Sequence, residues 1–195
     1  PRKVRRKAGA VGVLGVGYPE EYGGLGNHPQ DLSVMLMVNE ELCRAGSGGL
    51  VAALSVHNIA LPPILALGSN ALKALVLPQV LAGEKTVSLG ITEPGGGSDV
   101  ANMSTVARFD ARGEGTGEYV VNGQKTLITG GIEADYITLA VRTGGKGPSG
   151  ISLLCVDGDT TGLSRTELRK TGWWCSDTAT LTFDDCRVPS ERLLG

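Results

Sequence analysis

The sequence predicts an α+β fold, in which an N-terminal helical bundle segment is followed by a compact β-barrel or β-sandwich domain. Residues 30–86 carry apolar side chains at helical spacing, whereas short β-rich runs follow Thr86. The two patterns occupy separate parts of the chain and do not alternate, which is typical of an α+β arrangement. We therefore predict two domains, a helical domain over residues 1–86 and a β domain over residues 87–195.

The first predicted helix begins near Asp31, which is a suitable N-cap. Its apolar face carries Leu32, Met35, Leu36, Val38 and Leu42. Glycines and a serine at residues 46–49 should end it, because glycine disfavours a helix interior.

A second apolar stretch covers residues 50–67, and the two prolines at 62–63 should kink or divide it. A third helix is predicted over residues 71–81, with Ser69 or Asn70 as its cap. These helices form one layer with few charges.

The second part of the chain contains seven β-rich runs. They cover residues 87–92, 104–109, 118–121, 124–129, 136–142, 150–156 and 179–183. Asn122 and Gly123 form the dipeptide of a type I′ turn, so we predict a β-hairpin between the third and fourth runs. The glycine-rich residues 144–150 should form a solvated loop.

The stretch of residues 89–99 is the strongest candidate for a ligand site. An apolar run leads into Thr92, Glu93 and a strand-ending proline, and then into three glycines and Ser98. Glycines permit close approach of a ligand, and free N–H groups of such a loop can form a nest for a phosphate. A glycine-rich turn without a ligand is the alternative that composition leaves open.

The overall composition argues against several classes of protein. Hydrophobic residues make up 41% of the chain, which disfavours disorder. The 18 basic and 20 acidic residues give a net charge of −2, and aromatics are 4%, so nucleic-acid binding is not expected. The basic start resembles a secretion signal, but glycines dilute the apolar run after it. No stretch approaches the roughly 20 apolar residues that a membrane span needs, so we predict none.

The cysteines and histidines indicate neither disulfides nor a metal site. The cysteines are Cys43, Cys155, Cys175 and Cys186, and no pair has the spacing of a metal knuckle. We expect reduced, mostly buried thiols, which favour a cytoplasmic or, alternatively, a mitochondrial matrix setting. His28 and His57 are the only histidines, neither lies near a Gly-x-Ser-x-Gly motif, and we interpret His57 as a core residue.

Four segments resemble the acyl-CoA dehydrogenase family, in the same order over nearly the whole chain. They are YPEEYGG at 18–24, TEPGGGSDV at 92–100, VNGQKTLIT at 121–129, and SDTA with FDDCRVP at 176–179 and 183–189. In that family, helical sequence precedes the position of Pro1, and a second helical domain follows the β domain. The resemblance therefore implies a fragment from which the C-terminal helical domain is missing.

The resemblance implies that the cofactor is FAD. The positions that match the family's flavin-lining residues are Leu89, Ile91, Thr92, Gly97, Ser98, Leu127, Ile128 and Thr129. Ser98 is also expected against the thioester end of the substrate, and Thr129 near flavin N5. The family commonly has an aromatic side chain at the position of Leu127, so ring stacking worth about 1 kcal/mol is lost. The loop over residues 173–178 either shapes the acyl cleft or packs its tryptophans on the core.

The activity implied by the resemblance is α,β-dehydrogenation of an acyl-CoA thioester, with hydride transfer to flavin N5 and electrons passed on to an electron-transferring flavoprotein. The family's base is a glutamate of the C-terminal domain, so we assign no catalytic residue here and expect no 2-enoyl-CoA formation by these 195 residues alone. An acyl-CoA oxidase that uses oxygen and a non-catalytic flavin-fold interaction module are the alternatives. A homodimer or homotetramer is expected from the resemblance alone.

Overall fold

The computed structural model describes residues 2–26, 32–111 and 117–195. The helices are α1 Arg2–Ala10, α2 Leu32–Arg44, α3 Gly48–Ser55, α4 His57–Leu67 and α5 Asn70–Leu81. The strands are β1 Val87–Gly90, β2 Val106–Ala111, β3 Gly117–Thr129, β4 Tyr136–Arg142, β5 Ile151–Asp157, β6 Leu163–Glu167, β7 Thr178–Pro189 and β8 Leu193–Leu194. Helices precede strands, which confirms the predicted fold class. Asp31 and His28 lie outside the described residues.

The eight strands form one sheet in the order β6-β7-β3-β2-β4-β5-β8, and β1 pairs with β4 beside this path. The two arms of the sheet meet between β2 and β4, where Val106 pairs with Arg142. Buried side chains from both arms share one core, among them Val121 and Leu181 from one arm and Leu139 from the other. The sheet therefore folds over onto itself.

A second core joins the helices to the sheet. It contains buried residues of α4 and α5 together with residues of β1, β5 and β8, namely Ala60, Leu61, Ile64, Val76, Leu77, Val87, Cys155 and Leu194. The hydroxyl of Thr138 in β4 donates a hydrogen bond of 2.7 Å to the carbonyl of Ala60. The helices thus support β1, whose end carries the glycine loop.

Two of the predicted helix features are settled by particular residues. Ser69 caps α5, because its hydroxyl accepts a hydrogen bond of 3.2 Å from the amide of Leu72. The prediction that the prolines divide the second apolar stretch is wrong, since the break falls at Val56 and both Pro62 and Pro63 lie inside α4. Pro62 lies on the exposed side of α4, whereas Ala60, Leu61 and Ile64 pack in the core.

The predicted Asn-Gly hairpin is wrong, because β3 continues through both residues. The pairing of β3 with β7 shifts register between Val121 and Gly123, which marks a β-bulge. Gly123 has φ +144°, and the side chain of Asn122 accepts a bond of 2.9 Å from the amide of Asp185 on the opposite strand. A cross-strand bulge therefore uses the dipeptide that commonly makes a turn.

The stretch Gly48–Leu67 contradicts the prediction that no segment reaches membrane length. It is long and apolar enough to cross a bilayer by length and composition alone. In the structure it is divided into α3 and α4, and Ala60, Leu61 and Ile64 are fully buried against the sheet. A core helix passes the same test, so the finding is weak support for a membrane span.

All four cysteines are free, as predicted, but only two of them are buried. Burial raises the pKa of Cys155 to about 12 and that of Cys186 to about 11, so both are unreactive thiols at neutral pH. Cys43 and Cys175 are exposed, so the prediction of mostly buried thiols is wrong for half of them.

His57 is a buried, hydrogen-bonded core residue, which confirms its interpretation. Its Nδ1 lies 2.8 Å from the carbonyl oxygen of Leu54 and its Nε2 lies 3.0 Å from that of Leu14. Burial lowers the pKa of His57 to about 4, although both carbonyls favour the charged ring. The imidazole is therefore neutral in the native state at pH 7.

We expect His57 to make the protein acid-sensitive. The unfolded chain takes up a proton near pH 6.5, whereas the native state excludes it until about pH 4, so stability is lost as pH falls through this window. The free energy of unfolding should fall by about 3 kcal/mol because of this group. Urea unfolding of the wild type and of His57→Gln, which keeps an amide donor but does not titrate, measures the difference. Identical acid profiles for the two proteins would contradict the prediction.

Candidate active site

The glycine loop leaves the end of β1 and turns back on itself. Glu93 and Gly96 exchange two backbone hydrogen bonds of 3.1 Å, which close a tight turn around Pro94 and Gly95. None of the glycines at residues 95–97 has a positive φ, and an added Cβ on Gly95 would have no heavy atom within 4 Å. These glycines therefore leave the loop surface open to a ligand and are not required by backbone conformation.

The loop and the end of β3 lie side by side. The amide of Thr126 donates a hydrogen bond of 2.8 Å to the carbonyl of Thr92. The ammonium group of Lys125 donates to the carbonyl of Ile91 over 3.1 Å. The two segments that were selected separately from the sequence are thus joined through their backbones. Thr92 is bonded directly to the strand that ends at Thr129.

A second β-bulge shapes the end of β3. The register with β7 shifts between Lys125 and Ile128, and Leu127 adopts φ +58°, which is unusual for a residue with a Cβ. The side chain of Leu127 is 64% exposed, whereas Ile128 is 2% exposed and packs in the β core. Leu127 can therefore cover a ligand with its side chain, while Ile128 can offer only its backbone.

The remaining predicted site residues differ in how accessible they are. Leu89 is half-buried and packs against the core between helices and sheet. Gly97 and Ser98 are exposed, and an added Cβ on Gly97 would lie 3.4 Å from Cγ2 of Thr92. Thr129 is half-buried at the end of β3, where it pairs with Thr178 of β7. The open part of the site is thus formed by the loop and by Leu127.

Sequence reasoning missed a buried ion pair beneath this site. Lys125 is fully buried, and its Nζ lies 2.8 Å from Oε1 of Glu93, which is also buried. The Glu93 carboxylate accepts further bonds from the amide and hydroxyl of Ser104 and from the amide of Thr105, at 2.6, 2.7 and 2.9 Å. This network ties the loop to β3 and to the start of β2.

The network keeps Glu93 ionised. Burial alone would raise the pKa of Glu93, but the ammonium and the other donors lower it to about 2. Burial lowers the pKa of Lys125, and the carboxylate opposes this shift. A carboxylate so engaged is a poor base at neutral pH, which agrees with leaving Glu93 without a catalytic role. A lysine at an inward position of an apolar strand was the one signal that could have pointed to this pair.

The tryptophans of the loop before β7 are exposed, which argues against the alternative in which they pack on the core. Trp173 is 63% exposed and Trp174 is 83% exposed. Trp173 lies against the N-terminus of α3, where an added Cβ on Gly48 would come within 2.9 Å of its indole nitrogen. The small residues at the start of α3 are therefore matched to this ring. Among residues 2–26, 32–111 and 117–195 no group of three metal-ligating side chains occurs.

Comparison with known proteins identifies relatives along the whole chain. The N-terminal domain model of acyl-CoA dehydrogenases matches residues 1–84, and the middle domain model matches residues 88–186. Isobutyryl-CoA dehydrogenase, mitochondrial, from Dictyostelium discoideum is 37% identical over all of this chain and 45% of its own length. The chain spans less than half the length of that curated relative.

Solved structures share the fold as well. A probable acyl-CoA dehydrogenase from Mycobacterium abscessus is 49% identical with a TM-score of 0.91, over 100% of this chain and 50% of that chain. An acyl-CoA dehydrogenase from Bacillus anthracis complexed with FAD is 37% identical with a TM-score of 0.88, over 100% of this chain and 32% of that chain.

A helical layer that supports an eight-stranded sheet, with a glycine loop bonded to a bulged strand, gives the chain an α+β architecture that it shares with these solved structures. Within that class, the chain belongs to the acyl-CoA dehydrogenase family.

Proposed function

We propose that the protein is an FAD-dependent dehydrogenase that forms 2-enoyl-CoA from an acyl-CoA thioester. The observation that carries the proposal is the bond between Thr92 and Thr126, which holds the glycine loop against the end of β3. The relative from Bacillus anthracis that carries FAD also supports it.

The residues of this chain suit both the flat ring and the pyrophosphate of a flavin. The backbone at Ile91 and Thr92 and the exposed side chain of Leu127 offer a flat edge and an apolar cover for the ring. The open loop at Gly97 and Ser98 offers N–H and hydroxyl donors to the pyrophosphate.

When bound, FAD would supply a hydride acceptor, which no side chain of this chain can replace. The proposed role of Thr129 is a hydrogen bond that orients the ring edge, and that of Ser98 is contact with both FAD and the thioester end of the substrate. We assign no catalytic role to Glu93, because both oxygens of its carboxylate are hydrogen-bonded below the loop. We propose an electron-transferring flavoprotein as the electron acceptor and a dimer or tetramer as the assembly.

The proposed function is tested with the purified protein as its gene encodes it. We expect stoichiometric FAD binding by visible absorbance, and formation of 2-enoyl-CoA coupled to reduction of an electron-transferring flavoprotein. Hydrogen peroxide production in place of that reduction would replace the dehydrogenase by an oxidase. FAD binding without any 2-enoyl-CoA from a panel of acyl-CoA thioesters would support the non-catalytic module instead. Absence of FAD binding would overturn the proposed function.

A further inference from the structure

The loop segment 91–93 is held by two consecutive residues of β3. Lys125 donates to the carbonyl of Ile91 and to the carboxylate of Glu93, at 3.1 and 2.8 Å. Thr126 donates to the intervening carbonyl of Thr92 at 2.8 Å. Every residue of this segment is therefore tied to β3 immediately before the bulge.

The bulge itself is strained and needs support. Leu127 holds φ +58°, a conformation that persists in a non-glycine residue only where its surroundings determine it. On the N-terminal side that support is Lys125 and Thr126, and the hydroxyl of Thr126 also lies 3.1 Å from that of Thr180 on β7. The spacing between the loop and Leu127 thus depends on how the preceding two residues are fixed.

Burying the ion pair of Lys125 and Glu93 costs free energy, because both charges lose their hydration. Burying two charges is offset by their attraction only when the geometry is good and the remaining donors and acceptors are satisfied. The Glu93 carboxylate meets that condition, with both oxygens accepting hydrogen bonds from protein donors. Apolar residues at both positions would give comparable stability, but they would not hydrogen-bond Ile91 and Thr105. The main contribution of the pair is therefore to fix the positions of these segments and not to stabilise the fold.

We propose that Lys125 and Glu93 are positioning residues for FAD, which fix the distance between the glycine loop and the Leu127 bulge before the cofactor binds. The inference rests on the proposed FAD-binding function. Neither residue touches the cofactor in this account, since both side chains are buried beneath the loop.

Paired variants separate positioning from stability. Lys125→Met leaves a buried carboxylate without its cation, so we expect a large drop in the unfolding temperature. Lys125→Met/Glu93→Gln carries no charge, and its amide oxygen can still accept from Ser104 although not also from the amide of Thr105, so part of that drop should be recovered. FAD affinity should stay lower by roughly tenfold or more in both variants, because the walls of the site are no longer held in place. If FAD affinity recovers together with the unfolding temperature, the pair is merely structural and the proposal is wrong.

Hydrogen exchange in the cofactor-free protein gives a readout that does not depend on FAD. The Thr126 amide, which donates to Thr92, should exchange roughly tenfold faster or more in the double variant than in the wild type at matched stability. Arg187→Met, which breaks an exposed ion pair with Asp110, is the control and should change neither FAD affinity nor this amide. Unchanged exchange of Thr126 in the double variant would overturn the positioning role. If the wild type does not bind FAD but the Thr126 amide exchanges faster in the double variant, only the proposed cofactor is overturned.

Discussion

Gly123→Ala is expected to lower the free energy of unfolding by about 3 kcal/mol or more. The φ of +144° at Gly123 lies in a region that residues with a Cβ scarcely occupy. An added Cβ would also lie 2.7 Å from the backbone Cα of Thr105, which is fully buried. Because the amide of Thr105 donates to Glu93, displacement at Gly123 should also disturb the network under the loop.

A matched control separates backbone strain from the clash. Gly46 also has a positive φ, +65°, but an added Cβ there would meet no heavy atom within 4 Å. Gly46→Ala should therefore cost only the left-handed conformation, about 1–2 kcal/mol. Urea unfolding followed by circular dichroism measures both variants. A loss for Gly123→Ala no larger than that for Gly46→Ala would show that the bulge tolerates a side chain.

Gly97→Val is expected to weaken FAD binding by roughly a hundredfold, with little change in stability. The added Cβ would stand 3.4 Å from Cγ2 of Thr92, an ordinary contact that the folded chain accepts. The branched side chain would, however, occupy the open surface that the proposed pyrophosphate site requires. Titration of the cofactor-free protein with FAD measures the affinity, and the unfolding temperature reports stability.

The control for this variant is Gly145→Val. Gly145 lies in the loop between β4 and β5, where an added Cβ has no neighbour within 4 Å, so the change is equally tolerated but far along the chain from the glycine loop. FAD affinity should be unchanged. Equal FAD affinity for Gly97→Val and Gly145→Val would remove the glycine loop from the proposed site.

Elements with strong local signals were predictable from the sequence. β4 was predicted with its observed bounds, residues 136–142, because a run of apolar and β-branched residues is buried on both sides there. α5 was predicted to within a residue, since Ser69 supplies a local cap. In both cases the signal lies in the residues of the element itself or in its cap.

Other elements depend on partners that are distant in sequence. β6 was not predicted. It is an edge strand with the mixed sequence LSRTE, which shows no alternation of apolar and polar residues, and it is defined by its pairing with β7. The prediction for β7 stopped at Phe183, although the strand continues to Pro189 opposite the first part of β3. In β3 the Asn-Gly bulge hid the continuity of the strand, because each half of β3 resembles one arm of a hairpin.

The candidate site shows the same division. Thr92 and Leu127 could be selected from short motifs, but the left-handed conformation of Leu127 follows from a register shift against β7. The ion pair joins residues 32 positions apart, and neither charge has a local pattern that specifies its partner. Tertiary structure was needed to show that two motifs and a buried pair form one unit.

We propose that the glycine loop and the bulged end of β3 form two walls of one FAD site. A crystal structure of the protein, as its gene encodes it, with FAD bound tests this most directly. We predict the flavin ring within contact distance, about 4 Å, of both Thr92 and Leu127, with the pyrophosphate at Gly97 and Ser98. FAD bound away from either wall would show that the two segments do not form one site.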